Sequence, residues 1–200
     1  GPKGLVGHNT DLYGLLWAAE RAGISMAGRK VVIFGSGGAS LAARAAAEAQ
    51  GARSVAVISR RGPDSYRNLS RHADAEDSVA DPALFPRCRG VIDLIYNPRR
   101  TALLMRAEEL GIPCTDGLPM LVAQAAAAEE LFTGRGGGEE EVQHITARLR
   151  REMMNVVLIG MPGCGKTTVG RELARLTGRP LVDLDEEVAR AAGRSIEAIF

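Results

Sequence analysis

Two hundred residues, 46% of them hydrophobic and 24% charged, suffice for one domain or two small ones with a real core. A formal net charge of +1 gives no reason to expect nucleic acid or an anionic membrane as a partner, and no apolar run reaches the roughly 18 residues of a membrane-spanning helix. Three cysteines (Cys88, Cys114 and Cys164) without a CxxC pair point to a reducing cytosol rather than a disulfide framework, and His8, His72 and His144 have no zinc-ligand spacing. The opening "GPKGLVGHNTD" lacks the apolar core of a secretory signal, so none is expected in it, and because it does not begin with Met the natural start is expected upstream.

"NTDLYGLLWAAERAG" predicts a helix with Leu12, Leu15, Leu16 and Ala19 on one face and Gly23 near its end. An apolar strand follows over 30–34, then a glycine turn, the alanine-rich helix "ASLAARAAAEAQG" and a second strand over 54–58. Together these make one βαβ unit of the expected size, about 30 residues. From Arg61 to Pro86 the chain is polar and proline-broken. "GVIDLIYNP" restores a buried strand, and "TALLMRAEELG" and "LPMLVAQAAAAEELF" read as helices on either side of a short "IPCTDG". The glycine run "TGRGGG" is the clearest linker. "EEEVQHITARLRREMM" then predicts a connector helix with Val142, Ile145, Leu149 and Met153 on one face. The organisation expected is a first domain over 1–133, a linker and connector helix over 134–153, and a second domain from 154 to 200.

Two glycine-rich turns carry the chemistry. In the first, "FGSGGAS", Gly35 allows a tight turn after the strand, and Gly37 and Gly38 let backbone N–H groups approach a phosphate at the start of a helix. A plain glycine turn is the alternative, because G-x-G-G-A-S departs from G-x-G-x-x-G. At the end of the second strand a site for NAD would place a carboxylate on the ribose; this chain has Ser59, Arg60 and Arg61 there. Arginines attract the extra phosphate of NADP, so NADP is the cofactor expected, with a solvated basic turn as the plain alternative.

The second turn, "GMPGCGKT", matches G-x-x-x-x-G-K-[ST] in full, with Gly160, Gly163, Gly165, Lys166, Thr167 and Thr168 between an apolar segment and a helix. Its backbone N–H groups would wrap a β-phosphate, Lys166 would reach the β/γ oxygens, and the Thr167 hydroxyl would hold Mg2+. The strand expected over "RPLVDLD" delivers Asp183 and Asp185 to one face, one to support the metal and the other to orient a hydroxyl acceptor. Asp185 also fits as a helix N-cap. Cys164 is assigned no chemistry.

Taken together, "GHNTDLYG", "GSGGAS", "SRR", "DLIYNP" and "DGLPMLVAQA" resemble the C-terminal, NADP-binding half of shikimate dehydrogenase, and "LIGMPGCGKTTVGRELA", "LVDLDEE" and "AGRSIEAIF" resemble the opening of shikimate kinase. The fold implied is α/β: a Rossmann-like NADP-binding domain, then the first part of a P-loop kinase domain. The activities implied are reduction of 3-dehydroshikimate to shikimate with NADPH and phosphorylation of shikimate by Mg·ATP. The product of the first is the substrate of the second. Site roles come with the resemblance. Ser36 and Ala39 join the glycines at the dinucleotide. Asp11 works with a lysine on the substrate hydroxyl; from its own surroundings it, or Thr10, would be only a helix N-cap. Tyr96 and Gln124 would touch shikimate, and Leu94 and Gly117 the nicotinamide, where core packing (Leu94, Tyr96) or an amide satisfied within its helix (Gln124) are the plain alternatives. In the kinase part Lys166, Thr167 and Asp183 would handle Mg·ATP, with Asp185 on the shikimate hydroxyls.

The resemblance also implies pieces with no counterpart here: a substrate domain bearing the catalytic lysine, a nicotinamide-side Asn-(Ala/Thr)-Thr-Pro-x-Gly motif, and the later kinase loops. Little turnover by these 200 residues alone is therefore expected. A nucleotide-binding module without catalysis, or a quinate-type dehydrogenase joined to another small-molecule kinase, are the competing readings.

Overall fold

The computed structural model describes residue 4 and residues 6–59 and 81–199; the expectations for Arg60, Arg61 and the polar stretch up to residue 80 lie outside the described residues. The chain divides into two compact units, Gly1–Glu152 and Met153–Phe200.

The first unit opens with helix α1 (Thr10–Arg21). Its cap is Asn9, whose side-chain oxygen accepts the N–H groups of Asp11 (2.9 Å) and Leu12 (3.3 Å). That corrects the assignment of the cap to Asp11 or Thr10: the helix starts one residue after Asn9, so the Asp11 carboxylate is not used to cap it. Strand β1 (Lys30–Phe34), helix α2 (Gly38–Ala49) and strand β2 (Ser54–Ile58) follow. The strands pair in parallel, Lys30 opposite Ser54 through Phe34 opposite Ile58, with α2 as the crossover. After a 3-10 turn (Pro82–Leu84) come β3 (Val91–Ile92), α3 (Ala102–Glu109), β4 (Cys114–Thr115) and α4 (Leu118–Thr133). β3 and β4 also pair in parallel. The ladder proper is two residues long, but backbone bonds continue past it, with Asp93 N–H donating to Thr115 O (3.0 Å) and Gly117 N–H to Ile95 O (3.1 Å). The carboxyl ends of β1, β3 and β4, where open α/β sheets bind ligands, carry the first glycine turn, Leu94–Tyr96 and Asp116–Gly117.

The core of this unit is small-residue packing. Leu15, Ala18 and Ala19 of α1 meet Ala46 and Ala47 of α2 and Met120 of α4, with Val31, Val55, Ile92 and Leu94 closing over them. Alanines let the helices approach closely, and Gly14 goes further: a Cβ there would lie 2.5 Å from Met120 O. A second cluster joins Leu118, Val122 and Ala123 of α4 to Val142, with Trp17 and Leu149 packed against it. Val142 belongs to helix α5 (Gly138–Glu152), the segment expected as a connector. Its first turn is acidic and its last basic, as the helix dipole favours. Val142 and Thr146 are its buried residues, whereas Ile145 stays exposed, so the inward stripe is rotated from the one expected.

The second unit contains helices α6 (Lys166–Thr177), α7 (Leu184–Ala192) and α8 (Ile196–Ile199). The strands expected before the second glycine turn and over "RPLVDLD" are not formed among the described residues. A strand is defined by ladder bonds to a neighbour, and no described residue supplies one here. The inward residues nevertheless pack on α6. Gly170, its buried residue, faces Leu181 and Leu158, which a Cβ would approach to 2.8 and 3.4 Å. Ile159, on the opposite side, is 87% exposed. Among the described residues no helix is long and apolar enough to cross a membrane.

Candidate functional site

In the first unit, Gly35 has φ of 106°, a left-handed value suited to glycine, and its N–H donates to Ile58 O (2.7 Å), closing β1 against β2. Gly37 is the residue before α2, with ordinary extended backbone (φ −75°, ψ −176°). The Ser40 hydroxyl donates to its carbonyl at 2.6 Å, which orders the turn. A Cβ added at Gly37 or Gly38 would meet no described residue within 4 Å. Among the described residues, neither φ nor packing therefore requires glycine at 37. What remains is the space in front of the α2 N-terminus, where orphan N–H groups and the helix dipole favour an anion. Ser36 and Ala39 are exposed beside it, and Ser59, at the end of β2, is buried.

Gly117 is a different case. Its Cβ would lie 2.2 Å from Leu94 O, so glycine is needed for the exit of β4 to pass the exit of β3. The structure thus brings Leu94 and Gly117 together, with Leu94 packed on the core cluster and Tyr96 half exposed. Asp11 and Gly14 lie one turn apart on α1, and the Gly14 Cβ position is 3.0 Å from Gln124 Cβ. Asp11 and Gln124, both half-buried, accordingly stand along the α1–α4 seam.

Two features of this corner escape sequence reasoning. Asp93 accepts the Thr101 hydroxyl (2.6 Å) and Ile95 N–H (3.1 Å), bracing the loop that carries Leu94–Tyr96. Asp116 is only 6% exposed, accepts Leu118 N–H at 3.0 Å, and faces Arg99 (3.3 Å) and Arg150 (3.5 Å). The sequence reading showed only a short "IPCTDG" between two helices, and the partners of Asp116, 17 and 34 positions away, are not legible from it. Burial, followed by the nearby Glu108 and Asp116 charges, pushes the Cys114 thiol up from its usual range.

In the second unit, Gly163 (φ 78°) and Gly165 (φ 87°) take left-handed conformations, wrapping the turn toward the start of α6. The Lys166 ammonium donates to Gly160 O (2.9 Å) and Met161 O (2.8 Å) and lies 3.9 Å from Cys164 Sγ. Thr167 and Thr168 are exposed in the first turn of α6. Asp183, not Asp185, is the N-cap of α7: its Oδ1 accepts Asp185 N–H at 3.1 Å. Because the helix begins at Leu184, Asp183 and Asp185 do not share a strand face as the two-residue spacing implied. Asp185 is exposed in the first turn of α7, and the second oxygen of Asp183 takes no part in the cap.

The shikimate kinase family profile matches residues 162–200. Shikimate dehydrogenase (NADP(+)) of Moorella thermoacetica is 31% identical, the match covering 81% of this chain and 66% of that protein. Shikimate kinase of Cereibacter sphaeroides is 47% identical over 66 residues, 33% of this chain and 32% of the kinase. The crystal structure of a chorismate mutase/shikimate 5-dehydrogenase fusion protein from Clostridium acetobutylicum superposes with a TM-score of 0.66 at 27% identity, over 76% of this chain and 65% of that one. The chain thus spans less than two thirds of the length of each of these relatives. In order along its length it matches shikimate dehydrogenases and then, at its C-terminal end, shikimate kinase, which is the arrangement of a dehydrogenase–kinase fusion.

Proposed function

We propose that this chain forms the cofactor half of an NADP-dependent shikimate dehydrogenase joined to the nucleotide loop of a shikimate kinase, working in a reducing cytosol. The observation that carries the first half is the open space at Gly37 and Gly38 in front of α2, which packing among the described residues does not account for. In this reading the turn from Gly35 to Ala39 holds the pyrophosphate, Arg60 and Arg61 select the 2′-phosphate by charge, and the Ser59 hydroxyl hydrogen-bonds it. Leu94 and Gly117 flank the nicotinamide, which exchanges hydride with the substrate carbon when bound. Asp11, Tyr96 and Gln124 orient 3-dehydroshikimate or shikimate, with the Asp11 carboxylate at the hydroxyl whose proton moves.

The second loop is read as the site for Mg·ATP, and the position of its lysine supports that reading. Lys166 already lies across the loop, held by two carbonyls that a phosphate would replace as its partners. In this reading Thr167 and the Asp183 oxygen that takes no part in the cap are the oxygen donors for Mg2+, and Asp185 orients a shikimate hydroxyl. ATP supplies the phosphoryl group; the protein supplies position and charge.

The test is in two parts. Titrated with NADPH and NADH, the chain should quench or enhance dinucleotide fluorescence with clear preference for NADPH; equal affinity would remove the NADP assignment. In the native protein carrying this sequence, shikimate-dependent NADP reduction should fall at least about a hundredfold in Asp11→Asn, the scale of general acid–base catalysis. Since Asn9 caps the helix, that variant should keep its melting temperature.

A further inference from the structure

The corner formed by Leu94 and Gly117 is held by a charge cluster assembled from three separate elements. Asp116 immediately precedes Gly117. Its carboxylate caps the Leu118 N–H (3.0 Å), while Gly117 N–H bonds Ile95 O (3.1 Å), so the backbone is pinned on both sides of Gly117. Arg99 leaves the loop just after Tyr96 and places Nε 3.3 Å from Asp116 Oδ2. Arg150, on the last turn of α5, places Nη2 3.5 Å from both oxygens of the same carboxylate. Arg99 Nε and Arg150 Nε make no hydrogen bond, so this cluster is held by charge more than by aligned bonds. A carboxylate only 6% exposed depends on such charges, since losing one partner leaves it under-compensated in a poorly solvated site. Among the described residues, none of the hydrogen bonds and ion pairs of this cluster reaches the turn at Gly35–Gly38 on the other strand pair.

We propose that Asp116, clamped between Arg99 and Arg150, is a positioning residue for the nicotinamide end of the dinucleotide, acting through the Gly117–Leu94 contact and not through the phosphate turn. The proposal rests on the dinucleotide reading above. It makes Arg150 the residue through which the last helix of the first unit acts on the nicotinamide corner. It also separates the two ends of one ligand: weakening the clamp loosens the surface under the nicotinamide while the adenosine-phosphate end keeps its contacts.

The experiment uses the full 200-residue chain, with NADPH and 2′,5′-ADP as paired probes, the second lacking the nicotinamide half. Arg150→Met should weaken NADPH binding roughly fivefold, a coupling of ordinary size, and leave 2′,5′-ADP affinity unchanged. Arg150→Lys, which retains the charge, should recover most of the loss, and Arg99→Met provides an independent arm should Arg150→Met fold poorly. An equal fall for both probes, or none for either, would overturn the positioning role while leaving the dinucleotide site intact. If the unaltered chain binds neither probe, the dinucleotide reading fails and this proposal with it.

Discussion

Glycine means different things at different positions of this chain, and the difference can be measured. At Gly117 the missing Cβ is required by the fold, because a methyl would sit 2.2 Å from a backbone oxygen that cannot rotate away. Gly117→Ala should therefore cost about 2 kcal/mol or more of stability, as overpacking does, and lower the melting temperature with or without ligand. At Gly37 the backbone is ordinary and, among the described residues, the space is open. Gly37→Ala should leave the melting temperature of the apo chain unchanged while reducing NADPH affinity. Thermal melts with and without NADPH distinguish the two; a destabilised apo Gly37→Ala would show that the fold, not a ligand, demands that glycine. Capping shows the same need for contacts. Both Asn9 and Asp183 cap helices whose first turns contain other acids or hydroxyls. The motif identified the helix start only to within two residues, because Asn, Thr and Asp are all good caps.

Helix α5 was legible as a helix with one apolar face, but its packing partner was not. Of the face expected, Val142 is buried and Leu149 packs beside it, whereas Ile145 stays exposed. The helix's burial comes from the complementary surface of α4, where Leu118, Val122 and Ala123 leave room for Val142. Val142→Ala should cost about 2 kcal/mol through the lost burial and the cavity left behind. The chain's one tryptophan, Trp17, packs against the same cluster and is stacked by Arg21, whose guanidinium carbon is 5.6 Å from the ring centre. Its fluorescence should track that unfolding transition. A Trp17 signal insensitive to Val142→Ala would mean that α5 does not stabilise the unit.

At the scale of the molecule, the two units differ in how much they bury. The first has two apolar clusters; in the second, Gly170 is the buried residue among those described, and Val157, Ile159 and Met161 are largely exposed. Limited proteolysis should open bonds between Met153 and Met161 before any within α1 or α4, since local stability follows buried contacts. Ligands should act separately. NADPH at a hundred times its Kd should stabilise the first unit by about 2.7 kcal/mol, and Mg·ATP should do the same only for the second. Calorimetry that shows one shared transition, moved equally by both nucleotides, would contradict the division.

Local chemistry in the sequence was sufficient for β1, β2, most helices and both glycine turns, because each is specified by residues within about one turn or strand of one another. The pairing of Leu94 with Gly117, the approach of Gly14 to Gln124 along the α1–α4 seam, and the clamp on Asp116 needed the tertiary structure. Each joins residues distant in sequence, whose approach depends on shape complementarity that periodicity does not encode. The expected strands of the second unit make the same point from the other side: Val156–Ile159 has the composition of a strand, yet a ladder exists only where a neighbouring strand offers its N–H and C=O groups.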